Sequence, residues 1–255
     1  MLWDESADDL NLIASGLGVG TAKDLGVGVH IRTADSGADV HNDADELVIE
    51  NSATGGITIL SGTSTEGRIN FGDSGDNDIG RVNYSHSGNY MTLYTNAAIG
   101  LKIDSAGAVT KPLQPCFHAY PSSNQDNFAV ASDVTVVFGS ERFDLGGDFA
   151  SNTFTAPATG KYILQCNLRV GNLDKDSNEY MVLKLVTSNV TYSTMDYFPM
   201  NAGFSSDLEH LHMGFTVVAD MDASDTAYVQ IRQQGGSAQA DVRTDYSYFS
   251  GVLVA

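Results

Sequence analysis

Between Lys161 and Val170 the chain alternates: Tyr162, Leu164, Cys166, Leu168 and Val170 are apolar, and Lys161, Gln165, Asn167 and Arg169 fall between them, with Ile163 the one exception. A period of two marks a strand with one buried face, because successive Cβ atoms leave opposite sides of the pleat. Thr153-Phe154-Thr155-Ala156 predicts a shorter strand just before it. Pro157 and Gly160 predict the tight connection between the two, since proline fixes its own φ and gives up a ladder donor while glycine accepts a positive φ. The same parity over residues 209–219 puts Leu211, Met213, Phe215 and Val217 on a core-facing side and His210, His212, Gly214, Thr216 and Val218 on the other.

Residues 1–111 have a different texture. Strand-like pieces of four to six residues, at 47–50, 56–60, 67–71, 90–94 and 101–104, alternate with Gly/Asp/Asn/Ser turns. Gly67-Arg68-Ile69-Asn70-Phe71 recurs thirteen residues later as Gly80-Arg81-Val82-Asn83-Tyr84. Strands this short cannot bury a face singly and must stack on neighbours, either along one chain as a solenoid or across three chains as a β-prism or triple β-helix. The three-chain arrangement is the expectation. Residues 106–115, with Pro112 and Pro115, read as an extended boundary, and a second break is expected near Ser36-Gly37-Ala38-Asp39. The segments are therefore 1–40 and 41–111 as stalk and 112–255 as a separate sandwich.

Composition narrows the classes. The chain of 255 residues is 42% hydrophobic, enough for a sizeable core, and no helical stripe extends beyond a turn or two, so the fold class is all-β. A net charge of −19 argues against nucleic acid and anionic membrane surfaces as partners, since binding a phosphate backbone relies on Lys and Arg. No apolar run is long enough to span a bilayer as a helix, and the N-terminal sequence lacks the basic and apolar regions of a signal peptide, so the expectation is a chain used without secretion or a fragment of a longer one. Cys116 and Cys166 lie in predicted strands and read as two buried free thiols, a disulfide being the alternative. The glycines at 16, 18 and 20 mimic a dinucleotide loop, but no βαβ pattern surrounds them.

Three separated motifs resemble the globular head of complement component 1q, a trimeric jelly roll of the tumour necrosis factor (TNF) type. They are Phe143-Asp144, Phe149, Phe154-Thr155-Ala156-Pro157 and Gly160-Lys161-Tyr162 in the middle, Phe249-Ser250-Gly251 followed by apolar residues at the end, and Pro115 to Tyr120 (PCFHAY) as an opening strand. The resemblance implies a ten-stranded TNF-like jelly-roll sandwich over 112–255 that assembles as a homotrimer. Ser224-Asp225 stands where that family usually has glycine-aspartate, so a different turn geometry is expected there. Residues 67–104, with Phe71-Gly72-Asp73-Ser74, Tyr84-Ser85-His86-Ser87, Tyr94-Thr95-Asn96 and Leu101-Lys102-Ile103-Asp104, are similar to distal repeats of bacteriophage tail fibres.

The resemblance places the strand bearing His210 and His212 in the sheet that packs toward the threefold axis. Imidazoles from three copies would make a transition-metal site for Zn, Ni or Fe, the alternative being interface histidines bonded to neighbours or water. Without metal, protonation would make them repel, so oligomers are expected to weaken as pH falls through roughly 6.5. Some heads of this family bind calcium, for which Asp220, Asp222 and Asp225 are the candidates, solvated loop carboxylates being the default. Residues 174–185 open like an EF-hand, but Glu179 stands at position six and Leu185 at position twelve, which rejects it. Tyr197, Phe198 and Phe204, in a stretch (192–206) read as a long polar-aromatic loop, are the candidate receptor contacts, with packing under the loop as the alternative. No nucleophile-elbow setting surrounds any Ser, so no catalytic residue is expected. The resulting expectation is a homotrimeric tail-fibre component of a virion whose knob binds a host receptor or glycan and whose stalk joins other tail proteins. A secreted or matrix protein with a complement-type ligand-binding head is the alternative, and a glycan-degrading fibre the third.

Overall fold

The computed structural model describes residues 2–4, 9–11, 17–20, 29–176, 178–196 and 203–255. Two compact units divide the chain, Met1–Gly67 and Arg68–Ala255. In the first, β1 (Leu2–Asp4) and β2 (Asp9–Asn11) pair antiparallel, and β3 (Leu17–Gly20), β4 (Val29–Arg32) and β5 (Leu47–Glu50) form a parallel sheet. Register places Arg32 opposite Glu50. The Glu50 carboxylate accepts the Ser36 amide (2.7 Å) and hydroxyl (2.9 Å) and pairs with His30 Nε2 (2.9 Å) and Arg32 Nε (3.2 Å). The Ser36 amide, with Arg32 and His30 beside it, holds that carboxyl below its ordinary value. Residues 56–60, expected as a strand, are not one: Ile57, Ile59 and Leu60 are exposed and the segment has no place in a sheet.

The second unit opens with an antiparallel meander: β6 (Glu66–Phe71), β7 (Gly80–Ser85), β8 (Tyr90–Thr95), β9 (Ala98–Ile103) and β10 (Val109–Thr110), in that spatial order. The two copies of the repeat are thus adjacent strands of one sheet. Thr95 pairs with Ala98 across Asn96 and Ala97, both at positive φ (50° and 57°), the geometry whose twist matches a two-residue hairpin.

From Cys116 onward the chain forms a sandwich. Its strands are β11 (Cys116–Tyr120), β12 (Val134–Thr135), β13 (Ser140–Leu145), β14 (Phe149–Ala150), β15 (Thr153–Thr155), β16 (Gly160–Leu173), β17 (Tyr180–Thr187), β18 (Thr191–Asp196), β19 (Leu208–Met221), β20 (Thr226–Gln234), β21 (Asp241–Val242) and β22 (Tyr248–Leu253). One sheet runs β13-β11-β22-β16-β19 and the other β14-β15-β20-β17-β18, with β21 and β12 as short additions to β16 and β20. Ten strands alternating between two five-stranded paths in this order make a jelly roll. The predicted parity holds: Tyr162, Leu164, Cys166, Leu168 and Val170 are all buried, as is Met213. Residues 192–196, expected within a loop, belong to strand β18, paired with β17 from Met181↔Asp196 to Val186↔Thr191.

The core is organised on Phe117. Its ring stacks on Phe154 (4.7 Å) and Phe149 (5.0 Å) and meets Phe249 edge-on (4.9 Å), so each of the three sequence motifs contributes an aromatic ring to one cluster. Gly251 is required here, because a Cβ at that position would stand 2.6 Å from the Phe117 ring and 2.7 Å from Leu164. Both cysteines are free, Cys166 in the core and Cys116 half-buried. Among the described residues no helix is long and apolar enough to cross a membrane.

Candidate binding and self-association face

Alternation that buries Phe117, Ala119, Tyr162, Leu164, Cys166 and Phe249 sends the intervening residues of β11, β16, β19 and β22 to the other side of the same sheet. That outer face is rich in rings and apolar side chains. His118 stands opposite Phe143 on one side and Ser250 on the other. Its ring stacks on Tyr248 (5.2 Å, 22° between planes) and lies 5.9 Å from Phe143. Phe143, Ile163 and Val218 are 48%, 36% and 62% exposed on this face.

A concavity of about 810 Å³ lies on this face, lined by His118, Tyr120, Arg142, His212, Tyr246 and Tyr248 among others. The Arg142 guanidinium lies 5.3 Å over the Tyr120 ring. Tyr246 is 70% exposed and sits at φ +64°, a conformation strained for a bulky residue. It is held there by its backbone carbonyl, which accepts Asn167 Nδ2 (2.6 Å), and Arg169, paired with Asp245, lies 5.6 Å over its ring. Gly214 makes this possible, because a Cβ would meet Asn167 Oδ1 at 2.8 Å. Burial, then the nearby Arg142 charge, lowers the His118 pKa below its ordinary value, and burial with Asp144 raises that of the Cys116 thiol.

The sequence-predicted residues fare differently. His210 and His212 do share a face of β19, opposite Gly171 and Arg169. His212 meets the Tyr246 ring edge-on at 5.9 Å, and His210 pairs with Glu209 at 3.5 Å. Among the described residues no three His, Cys, Asp or Glu side chains are gathered as a metal site within one chain. Asp220 pairs with Lys161 (2.5 Å), whereas Asp225 accepts Asn189 Nδ2 (2.6 Å) and the Asp222 amide (2.8 Å), so these carboxylates serve separate partners around a turn. Ser224 in that turn takes φ +78°, the left-handed geometry that glycine would adopt without strain. Phe204 is half-buried and packs against the core rather than standing free as a contact, while Tyr197 and Phe198 lie outside the described residues.

His118, Arg142 and Tyr246 were missed from sequence. The aromatic density of Tyr246-Ser247-Tyr248-Phe249 was the available signal, but only the fold brings it to His118, some 130 residues earlier.

No protein-family model matches the sequence, and no curated protein is similar to it. Solved structures similar to this chain include the globular domain of zebrafish complement 1qA protein, at 20% identity and a TM-score of 0.40, covering 56% of this chain and 98% of that one. Murine APRIL at pH 8.0 is 11% identical with a TM-score of 0.40, over 55% of this chain and 99% of that one. Murine APRIL at pH 5.0 is 10% identical with a TM-score of 0.37, over 55% and 99%. The jelly-roll assignment stands on the strand order and pairing described above.

Proposed function

We propose that the chain is a self-associating ligand-binding head, assembled as a homotrimer and acting outside a cell, with binding rather than catalysis as its role. The observation that carries this is the outer face of β13-β11-β22-β16-β19, where Phe143, Ile163, Val218 and Tyr246 stand exposed around the stacked His118 and Tyr248. Covering that face with a second copy removes apolar surface from water and gives the strain at Tyr246 a purpose, since strained residues persist where a contact uses them. Three copies is the number implied by the complement-head resemblance. Three weak sites on one rigid head would bind at high effective concentration and gain avidity that one site lacks.

A finer reading, favoured by the repeat copies lying side by side in β6 and β7, is a bacteriophage tail fibre, with a host receptor or glycan at the head and other tail proteins along the shaft. In either setting a transition metal at His210 and His212 would need the same residues of further copies. Light scattering on the full chain tests the central reading. Wild type is expected at three times the chain mass and Ile163→Glu/Val218→Glu at a lower mass with unchanged far-UV circular dichroism. A wild-type chain that stays monomeric across the micromolar range refutes it. Metal analysis of the oligomer peak tests the histidines, about one ion per trimer being the supporting result.

A further inference from the structure

The meander presents its two faces the wrong way round for a sheet that meets only water. Register places Tyr84↔Met91, Met91↔Ile103 and Ile103↔Val109 in one continuous apolar row, and Val82↔Leu93 and Leu93↔Leu101 in a second. Ile69 and Phe71, at the apolar positions of the first repeat copy, are 48% and 60% exposed, and Met91, Leu93 and Val109 are 41%, 41% and 59% exposed. On the opposite face the residues are polar and buried: Asn83, Ser85 and Thr92 are at most 2% exposed. There Arg81 lies 4.0 Å over the Tyr94 ring and Lys102 4.2 Å over Tyr90. An antiparallel sheet ordinarily turns its apolar side to a second layer and its polar side to solvent. Here the apolar rows are the side left open.

We propose that this apolar face is a second self-association surface, covered by the same face of further copies of this chain. Charge favours that occupant. The chain carries 32 acidic against 13 basic residues, so copies repel wherever their surfaces are charged, and the two rows carry no ionisable group except the Tyr84 phenol. Four six-residue strands about 20 Å long and the two-residue β10, at ~4.8 Å spacing, offer roughly 420 Å² per copy, below the roughly 800 Å² per partner of a standard specific interface. The meander face therefore adds to association through the sandwich instead of replacing it. The proposal rests in part on the oligomeric reading above, and the test separates the two.

The experiment is sedimentation equilibrium on the full chain, comparing wild type, Leu93→Glu and Ile163→Glu/Val218→Glu. Leu93→Glu is expected to weaken association about tenfold or more, as a charge enters a desolvated row. A second measurement covers the case in which that variant misfolds: in a Cys116→Ser background, Leu93→Cys is expected to form an interchain disulfide on mild oxidation. Ser105→Cys, in an exposed turn, is not. If wild type associates but Leu93→Glu associates equally and Leu93→Cys does not cross-link, the meander interface is overturned while the sandwich reading survives. If wild type is monomeric throughout, both fall. If it is monomeric and Leu93 mediates binding to neutral lipid vesicles, the face belongs to a different occupant and the proposal is likewise overturned.

Discussion

Replacing Gly251 by alanine tests whether the head is organised as described. The glycine lies on β22 between Phe117 of β11 and Leu164 of β16, both fully buried. An added methyl would approach the Phe117 ring to 2.6 Å and Leu164 to 2.7 Å. The ring cannot retreat, because Phe154 and Phe149 are stacked on it at 4.7 and 5.0 Å. At an open strand position glycine-to-alanine stabilises by about 0.5–1 kcal/mol through chain entropy. Overpacking a full core costs about 1–3 kcal/mol, so the expected balance is a loss of roughly 1–2 kcal/mol. In urea, with a slope of about 2 kcal/mol/M, the unfolding midpoint followed by far-UV circular dichroism should fall by about 0.5–1 M. Gly56→Ala, where nothing lies within 4 Å, should show no such loss. Adding Phe117→Leu should make the Gly251 change less costly than in wild type, a coupling readable in a double-mutant cycle. An unchanged or raised midpoint in Gly251→Ala at constant slope would refute the packing argument.

Ala97→Gly and Ser224→Gly, each relieving a left-handed backbone at a turn, should raise thermal stability by about 0.5–1 kcal/mol apiece in scanning calorimetry. Burial pushes the Cys166 thiol up to about 12, so it should resist an aromatic disulfide reagent at pH 8 until denaturant is added, while half-buried Cys116 reacts first. The sign for stability follows from the raised value: the folded state disfavours the thiolate, so the contribution is complete below pH 9 and declines from there toward pH 12, and Cys166→Ala should flatten that alkaline slope. His118 has the opposite dependence. Its folded value lies below the ordinary 6.5, so stability is present above pH 6.5 and is lost as pH falls below it, a slope in the urea midpoint that His118→Phe should remove.

The sandwich was legible where one strand face is buried and the other is not. Residues 161–170 announce β16 because Leu164 and Leu168 are fully buried while Lys161 and Gln165 are not. β18 was illegible for the converse reason: Thr-Tyr-Ser-Thr-Met-Asp has little polar contrast, and it is strand because β17 supplies a ladder. At residues 56–60 the same limit operates in reverse, a strand-like pattern that no neighbour pairs. The parity of His210 and His212 followed from sequence, but their surroundings did not. What touches His212 is Tyr246, whose positive φ depends on Asn167 and on the room left by Gly214, and no local pattern encodes such a three-way contact.

The two outer faces of the sandwich differ in how well each suits the proposed self-association. Outward positions of β17 and β20 include Lys184, paired with Asp133 at 2.7 Å, and Arg232, bonded to Gln234 at 2.9 Å. Lys184 also stands opposite Gln230 in the ladder. Hydrated groups of this kind gain little from a partner and lose solvation when one arrives. Across the core, the outward positions include Phe143, Ile163 and Val218 with the His118–Tyr248 stack, groups whose transfer from water is favourable, beside the ion-paired Lys161 and Arg169. Packing one copy on another over Phe143, Ile163 and Val218 would bury apolar surface, whereas packing over Lys184 and Arg232 would strip solvent from polar groups. Charge reversal at Lys184 should therefore leave the oligomer intact, and a single carboxylate at Ile163 should weaken it.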